Sequence, residues 1–218
     1  MEESLSPVVR PLAAKPFLLL LLALVVLAGA ESWFTAWCWP QYGERACGRY
    51  GLSLDFLMSL AIFALVALVF DQPWGRLILY SIVISAAAGL GGLAARLLLT
   101  APGLPFPNIP ELLRYLGVVL VRLIYLALMQ ALVPAAILRG LLRRDWERIT
   151  LANAAAFGVI MCVVSALFIT ALFGLASVIQ PGSVAPGYIF TWNDFFSALT
   201  LGLAACLGVL LGKVLRIN

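Results

Sequence analysis

Residues 151–179 read LANAAAFGVIMCVVSALFITALFGLASVI, a stretch without a single charged side chain. A helix needs about 20 apolar residues to cross the roughly 30 Å hydrocarbon core of a bilayer, because each residue adds about 1.5 Å. A run of this length therefore predicts a transmembrane helix. Further long apolar runs precede and follow it, so the chain is expected to cross a membrane several times.

The composition of the whole chain supports this interpretation. Hydrophobic residues occupy 64% of the 218 positions and charged residues 11%, and the mean hydropathy is +1.08. Soluble domains are roughly 45–50% apolar and about 25% charged. Transmembrane β-barrels need alternating strands of about ten residues, and the sequence shows no such alternation. We therefore predict an all-α, polytopic integral membrane protein.

Six apolar segments are predicted to span the membrane and to form one domain, residues 16–218, after an N-terminal tail of residues 1–15. The segments are Pro16–Trp37, Leu52–Phe70, Trp74–Leu99, Leu112–Leu138, Leu151–Ile179 and Phe195–Leu215. The first segment could alternatively be a cleaved signal peptide, but no clear cleavage site follows it. The expected outer loops are residues 38–51, 100–110 and 180–193.

Positive charge is concentrated on one side of this six-span arrangement. The connection Arg139–Arg148, with the sequence RGLLRRDWER, is its most basic segment. Five further cations fall on the same side: Arg10, Lys15, Arg76, Lys213 and Arg216. Cytoplasmic loops of membrane proteins carry an excess of Lys and Arg. Both termini are therefore expected to face the cytoplasm.

Arg122 is the main candidate for a functional residue, because it lies near the middle of the fourth predicted span. A lone arginine at the bilayer centre costs at least about 2.5–3.5 kcal/mol, so it should face protein or water. Tyr115, Tyr125 and Gln130 share one broad face of the same helix with it. Pro134 removes the backbone donor for the carbonyl of Gln130. This polar face either binds an anionic group or fixes helix packing.

Two further arginines, Arg96 and Arg114, are expected in the outer half of the membrane. Acidic residues at the outer helix ends could neutralise all three arginines, which favours a structural role. The acidic candidates are Glu31, Asp55, Glu111 and Asp194.

Cys38 and Cys47 fall in the first expected outer loop, with Pro40 and Gly43 between them. Their short separation and an oxidising compartment predict a disulfide. The alternatives are two free thiols or a pair of metal ligands, but other soft ligands are lacking nearby. No metal site is predicted.

Spacings of four between small residues predict close helix packing. The sixth predicted span has Thr200, Ala204, Gly208 and Gly212 in this pattern. Such a seam serves contacts inside the bundle or contacts with another subunit.

Catalytic motifs are missing from the sequence. It has no histidine, no G-x-S-x-G elbow, no phosphate-binding G-x-x-x-x-G-K-[ST] loop and no H-E-x-x-H pair. We therefore assign no catalytic residue and expect no cofactor.

Three functions remain open. The first is a non-catalytic subunit or scaffold of a larger membrane protein complex. The second is a small permease or substrate-binding membrane component for an anionic or amphipathic ligand, and the third is a lipid-acting membrane enzyme. The expected partners are the lipid bilayer, other membrane subunits and a bound phospholipid, but not nucleic acid. Topology favours a bacterial inner membrane, with an organelle membrane as the alternative.

Overall fold

A computed structural model describes residues 12–100, 127–179 and 192–217. These residues form only helices and the turns between them. The elements are α1 (Ala14–Val69), α2 (Trp74–Thr100), a π-helical turn (Ala127–Leu132), α3 (Val133–Leu142), a 3-10 turn (Trp146–Arg148), α4 (Leu151–Ile179) and α5 (Trp192–Ile217). The all-helical class predicted from the sequence is confirmed.

Among the described residues, four helical stretches are long and apolar enough to cross a membrane. They are Ala14–Thr35, Trp74–Gly92, Leu151–Phe168 and Asp194–Ile217. Two shorter apolar helical stretches, Ser53–Val69 and Leu128–Leu142, correspond to the second and fourth predicted spans. The part of the fourth predicted span before residue 127 lies outside the described residues. The helices are thus compatible with a multi-pass membrane protein.

Helix α1 folds back on itself. A straight helix from Phe17 to Phe70 would be roughly 80 Å long. However, the ring of Phe17 lies 5.4 Å from the ring of Tyr80, and the ten residues that separate Tyr80 from Phe70 reach at most about 36 Å. The helix must therefore reverse direction between its first arm, Ala14–Thr35, and its second arm, Ser53–Val69.

The reversal corrects one expectation from the sequence. Residues 38–51 were expected to form an outer loop, whereas the structure continues the helix through them. Cys38 and Cys47 are joined by a disulfide, with their Cα atoms 5.8 Å apart. A straight helix would separate these Cα atoms by roughly 13 Å. The chain therefore turns within helical geometry, and the disulfide holds the turn closed.

The second arm of α1 is the centre of the bundle. Every residue from 61 to 70 is buried, and the apolar core contains Phe63, Leu65 and Phe70. The four long apolar helices are only 17–39% buried in their most apolar stretches. Their exposed leucines, isoleucines and valines are suited to contact with lipid.

Close contacts at glycine residues show which neighbouring helices run parallel and which run antiparallel. Gly91 of α2 meets the first arm of α1 so closely that a Cβ atom would overlap the carbonyl oxygen of Val25. Together with the contact between Phe17 and Tyr80, this shows that the first arm and α2 run parallel. A Cβ on Gly202 of α5 would lie 2.7 Å from the carbonyl oxygen of Gly158 on α4, which runs antiparallel to α5.

The seam predicted in the sixth span packs inside the bundle. A Cβ atom at Gly208 would lie 2.7 Å from that of Phe63, and one at Gly212 would lie 2.7 Å from that of Ala67. Helix α5 therefore runs parallel to the second arm of α1. The end of the second arm, the start of α4 and the end of α5 meet at the same end of the bundle.

Candidate functional site

A cavity of about 280 Å³ lies between the second arm of α1, the π-helical turn, α4 and α5. Its hydrogen-bonding side chains are Asp55, Ser59, Gln130, Ser165, Ser197 and Thr200. Its apolar side chains include Met58, Phe63, Met129, Met161 and Phe168. We call this space the amphipathic cavity, because polar and apolar groups line it together.

Gln130 links the amphipathic cavity to the polar face predicted from the sequence. It lies in the π-helical turn Ala127–Leu132, immediately before α3. Pro134 is buried at the start of α3 and has no N–H to donate to the carbonyl of Gln130. The helix is locally widened at this point, and such π-helical turns are frequent at functional sites.

Hydroxyl groups of the cavity are already engaged in part. Thr200 donates through its Oγ1 atom to the carbonyl oxygen of Phe196 at 2.7 Å. A hydroxyl that donates in this way keeps its lone pairs as acceptors. Methionine side chains are flexible and polarisable, so Met58, Met129 and Met161 can adapt to ligands of different shapes. The cavity can therefore accept hydrogen bonds from a ligand while its methionine side chains cover the apolar part of that ligand.

The other members of the predicted polar face are not among the described residues. Tyr115, Arg122 and Tyr125 lie outside the described residues, as does Arg114. Arg96 lies on α2, and α2 contributes no described residue to the lining of the amphipathic cavity. Gln130 is the one member of the predicted ligand-binding set among the described residues, and it lines this cavity.

A second polar cluster lies at the end of the bundle where α4 begins and α5 ends. We call it the basic end and define it by Asp71, Arg139, Trp146, Lys213 and Arg216. Arg216 donates through Nη2 to Oδ2 of Asp71 at 2.9 Å, and both side chains are about nine-tenths buried. Its guanidinium carbon lies 4.3 Å from the centre of the Trp146 ring. Cation–π stacking thus adds to the ion pair.

Two further cations of the basic end bind backbone carbonyl groups. Arg139 donates through Nη1 to the carbonyl oxygen of Gln72 at 2.6 Å, and its guanidinium carbon lies 4.6 Å from the ring centre of Trp74. Lys213 donates to the carbonyl oxygen of Ile149. Because these carbonyl groups belong to turns between helices, the cations tie the turns to α3 and α5.

The basic end also contains buried polar atoms that lack a hydrogen-bond partner. These atoms are Oδ1 of Asp71, Nη2 of Arg139, Nε1 of Trp146 and Nη1 of Arg216. An unsatisfied buried donor or acceptor costs about 1–3 kcal/mol. The basic end is therefore a cluster in which not all buried polar atoms are paired within the protein.

Neither cluster was predicted as a site from the sequence, although some of its residues were named individually. Ser59, Ser165 and Thr200 are small polar residues within apolar spans, and only the bundle geometry brings them together. The ion pair was also missed, although Asp71 is the acidic residue in the turn before α2 and Arg216 lies in the last turn of α5. A search for acidic residues on the side rich in arginine would have suggested it.

No protein-family model, curated protein or solved structure shows a significant match to the chain.

Proposed function

We propose that the protein is a small membrane component that binds an amphipathic ligand in the amphipathic cavity, as a permease or a substrate-binding component. The observation that carries this proposal is the combined lining, in which six hydrogen-bonding side chains occur together with methionine and phenylalanine. Ligand sites are typically concave and largely apolar, with a few polar groups that orient the ligand. The π-helical turn at Gln130 supports the same location.

The charge of the lining favours an amphipathic ligand over a simple anion. Among the described residues that line the cavity, Asp55 is the acidic group and no Lys or Arg is present. A carboxylate repels anions and accepts hydrogen bonds from hydroxyl or ammonium groups. A ligand with a hydroxyl or amine head and an apolar body therefore fits this lining best.

In a six-span arrangement with both termini in the cytoplasm, the amphipathic cavity faces away from the cytoplasmic side. The arginines and lysines at the basic end support a cytoplasmic location of that end. Ser197 lies roughly 28 Å from Arg216 along α5, measured by helical rise. The amphipathic cavity would then open in the outer half of the bilayer, and a bacterial inner membrane is the location that we propose.

Native mass spectrometry of the protein, purified in mild detergent from its own membrane, tests the proposal. We expect a bound small molecule in the unaltered protein and its loss in Ser165→Leu, because the larger side chain fills the cavity. Thr170→Leu is the matched control, since Thr170 is exposed on the same helix. The proposal would be contradicted if the unaltered protein carried no small molecule other than phospholipid, or if both variants retained that molecule.

A role as a non-catalytic subunit is the second candidate. The internal seams of small residues account for bundle packing and so do not by themselves support contacts with other subunits. The same purification separates the two functions, since a subunit would arrive with stoichiometric protein partners. A lipid-acting enzyme remains the third candidate, and release of a modified lipid by the purified protein would support it.

A further inference from the structure

A groove of about 580 Å³ lies at the basic end, and the amphipathic cavity lies toward the other end of the bundle. Lys213 and Arg216 line the groove on α5, and Trp146 lines it from the turn before α4. Leu12 and Ile217 form apolar parts of its wall. The groove therefore combines two cations, an aromatic ring and an apolar surface.

The cations of the groove retain hydrogen-bonding capacity. Arg216 uses Nη2 for Asp71, while its Nη1 atom has no partner. Lys213 donates one hydrogen bond to Ile149, and an ammonium group has three donors. Trp146 is 7% exposed, and its Nε1 donor also has no partner. Lys213, with two donors left over, and the guanidinium group of Arg216 therefore suit a ligand whose acceptor group has several oxygens.

The surroundings of the groove add positive charge. Arg76, Arg143 and Arg144 are exposed at the same end of the bundle. The positive charge of Arg148 is partly neutralised by Asp145, with 3.3 Å between Nε of Arg148 and Oδ2 of Asp145. Glu147 also lines the groove. The exposed arginines give this end of the bundle an excess of positive charge, which suits an anionic headgroup.

We infer that the groove binds the headgroup of an anionic phospholipid. The phosphodiester contacts Lys213 and Arg216, and the adjoining lipid surface packs against Leu12 and Ile217. Free phosphate would use the cations but would leave the apolar wall exposed, so the wall favours the lipid. Trp146 completes the site, because indole rings favour the boundary between headgroups and acyl chains. The site does not depend on any ligand in the amphipathic cavity.

The experiment is a lipid titration of the full-length protein in detergent, followed by native mass spectrometry. Phosphatidylglycerol is compared with phosphatidylcholine, and inorganic phosphate is added as a competitor. We expect one phosphatidylglycerol to bind about tenfold more tightly than phosphatidylcholine, which has the same phosphodiester but also a choline ammonium group that Lys213 and Arg216 repel. Inorganic phosphate should not displace it.

Four variants locate the binding. Lys213→Gln should abolish the preference for phosphatidylglycerol, whereas Lys213→Arg should retain it because the charge remains. Arg76→Gln removes one charge at the same end but outside the groove, and its preference should change less than about twofold. Ile217→Glu places a negative charge at an exposed position of the groove and should also abolish the preference.

The Ile217→Glu variant keeps the test valid if Lys213→Gln does not fold, since Ile217 is 73% exposed. Ile217→Gln, which has the same size without the charge, is its control and should keep the preference. An equal loss in Arg76→Gln would reduce the effect to general surface charge and overturn the inference. Displacement by inorganic phosphate, or no preference in the unaltered protein, would overturn it as well.

Discussion

Arg216 and Asp71 form a buried ion pair that joins the last turn of α5 to the turn after α1, with 2.9 Å between Nη2 and Oδ2. The two residues are 145 positions apart in the sequence. The pair fixes the end of α5 beside the second arm of α1, where Gly212 packs against Ala67. The ion pair and the small-residue seam therefore hold the same two helices together.

The variant Asp71→Asn should be strongly destabilising. Removal of one partner from a buried pair leaves the other charge uncompensated, which costs about 3–5 kcal/mol. The free energy of unfolding, measured by denaturant titration in detergent, checks this value. Asp145→Asn is the control, because the pair between Asp145 and Arg148 is about half exposed and should contribute less than about 1 kcal/mol. Equal losses in both variants would refute the assigned role of Asp71.

Gly202→Ala should lower stability because α4 and α5 approach closely at this position. The new Cβ atom would lie 2.7 Å from the carbonyl oxygen of Gly158 and 2.9 Å from Cβ of Cys162. Overpacking of this kind costs about 1–3 kcal/mol. Gly75→Ala is the control, since no atom lies within 4 Å of its added Cβ, and its stability should stay the same or rise. Thermal unfolding in detergent distinguishes the two results.

The disulfide between Cys38 and Cys47 should be detected by mass mapping of non-reduced peptides. Cys38→Ser should lower the free energy of unfolding by about 2–3 kcal/mol, as expected for a ring of this size. A reducing agent should lower the stability of the unaltered protein to the same level and leave the variant unchanged. Rapid alkylation of Cys38 and Cys47 without prior reduction would contradict the disulfide.

Reporter fusions after Arg148 and after Asn218 test the orientation. Both should report a cytoplasmic location, because the basic end contains the Arg139–Arg148 segment and the end of α5. A third fusion at Tyr42, an exposed residue near the disulfide, should report the outside. An external signal at Arg148 or at Asn218 would exclude the six-span arrangement.

Arg122→Leu separates a structural from a ligand-binding role of the predicted polar face. If Arg122 only fixes helix packing, the variant leaves a buried partner unpaired and stability falls by about 1–3 kcal/mol. If Arg122 binds the ligand, stability is kept and the bound molecule is lost in native mass spectrometry. Gln130→Leu serves as the comparison, because Gln130 lines the amphipathic cavity. Unchanged stability together with unchanged binding would refute both roles.

The sequence was sufficient to predict the helices, but not which helices pack against each other. Apolar length identified the four described stretches that are long enough to cross a membrane, because a bilayer imposes that length on any helix that crosses it. The basic residues Arg139, Lys213 and Arg216 were assigned to one side, and the structure places them at one end of the bundle. Their partners could not be predicted, since the pairing of Arg216 with Asp71 depends on which helices are neighbours.

The turn in α1 shows a different limit of sequence interpretation. Pro40, Gly43 and the polar residues around them are typical of a loop, and residues 38–51 were expected to form one. The structure keeps these residues helical and places the disulfide between Cys38 and Cys47 within the reversal. The amphipathic cavity was missed for a related reason, since single serines and threonines in apolar spans carry no distinctive pattern.

The central position of the second arm of α1 has a consequence for biosynthesis. Phe63 is made early, but its packing partner Gly208 on α5 is translated much later. At a synthesis rate of about 5–20 residues per second, the ribosome needs roughly 7–30 s to make the intervening chain. During this interval the innermost helix must be sheltered by the insertion machinery or by lipid. A product that stops before α5 would keep this surface uncovered, which makes truncated chains targets for membrane proteolysis.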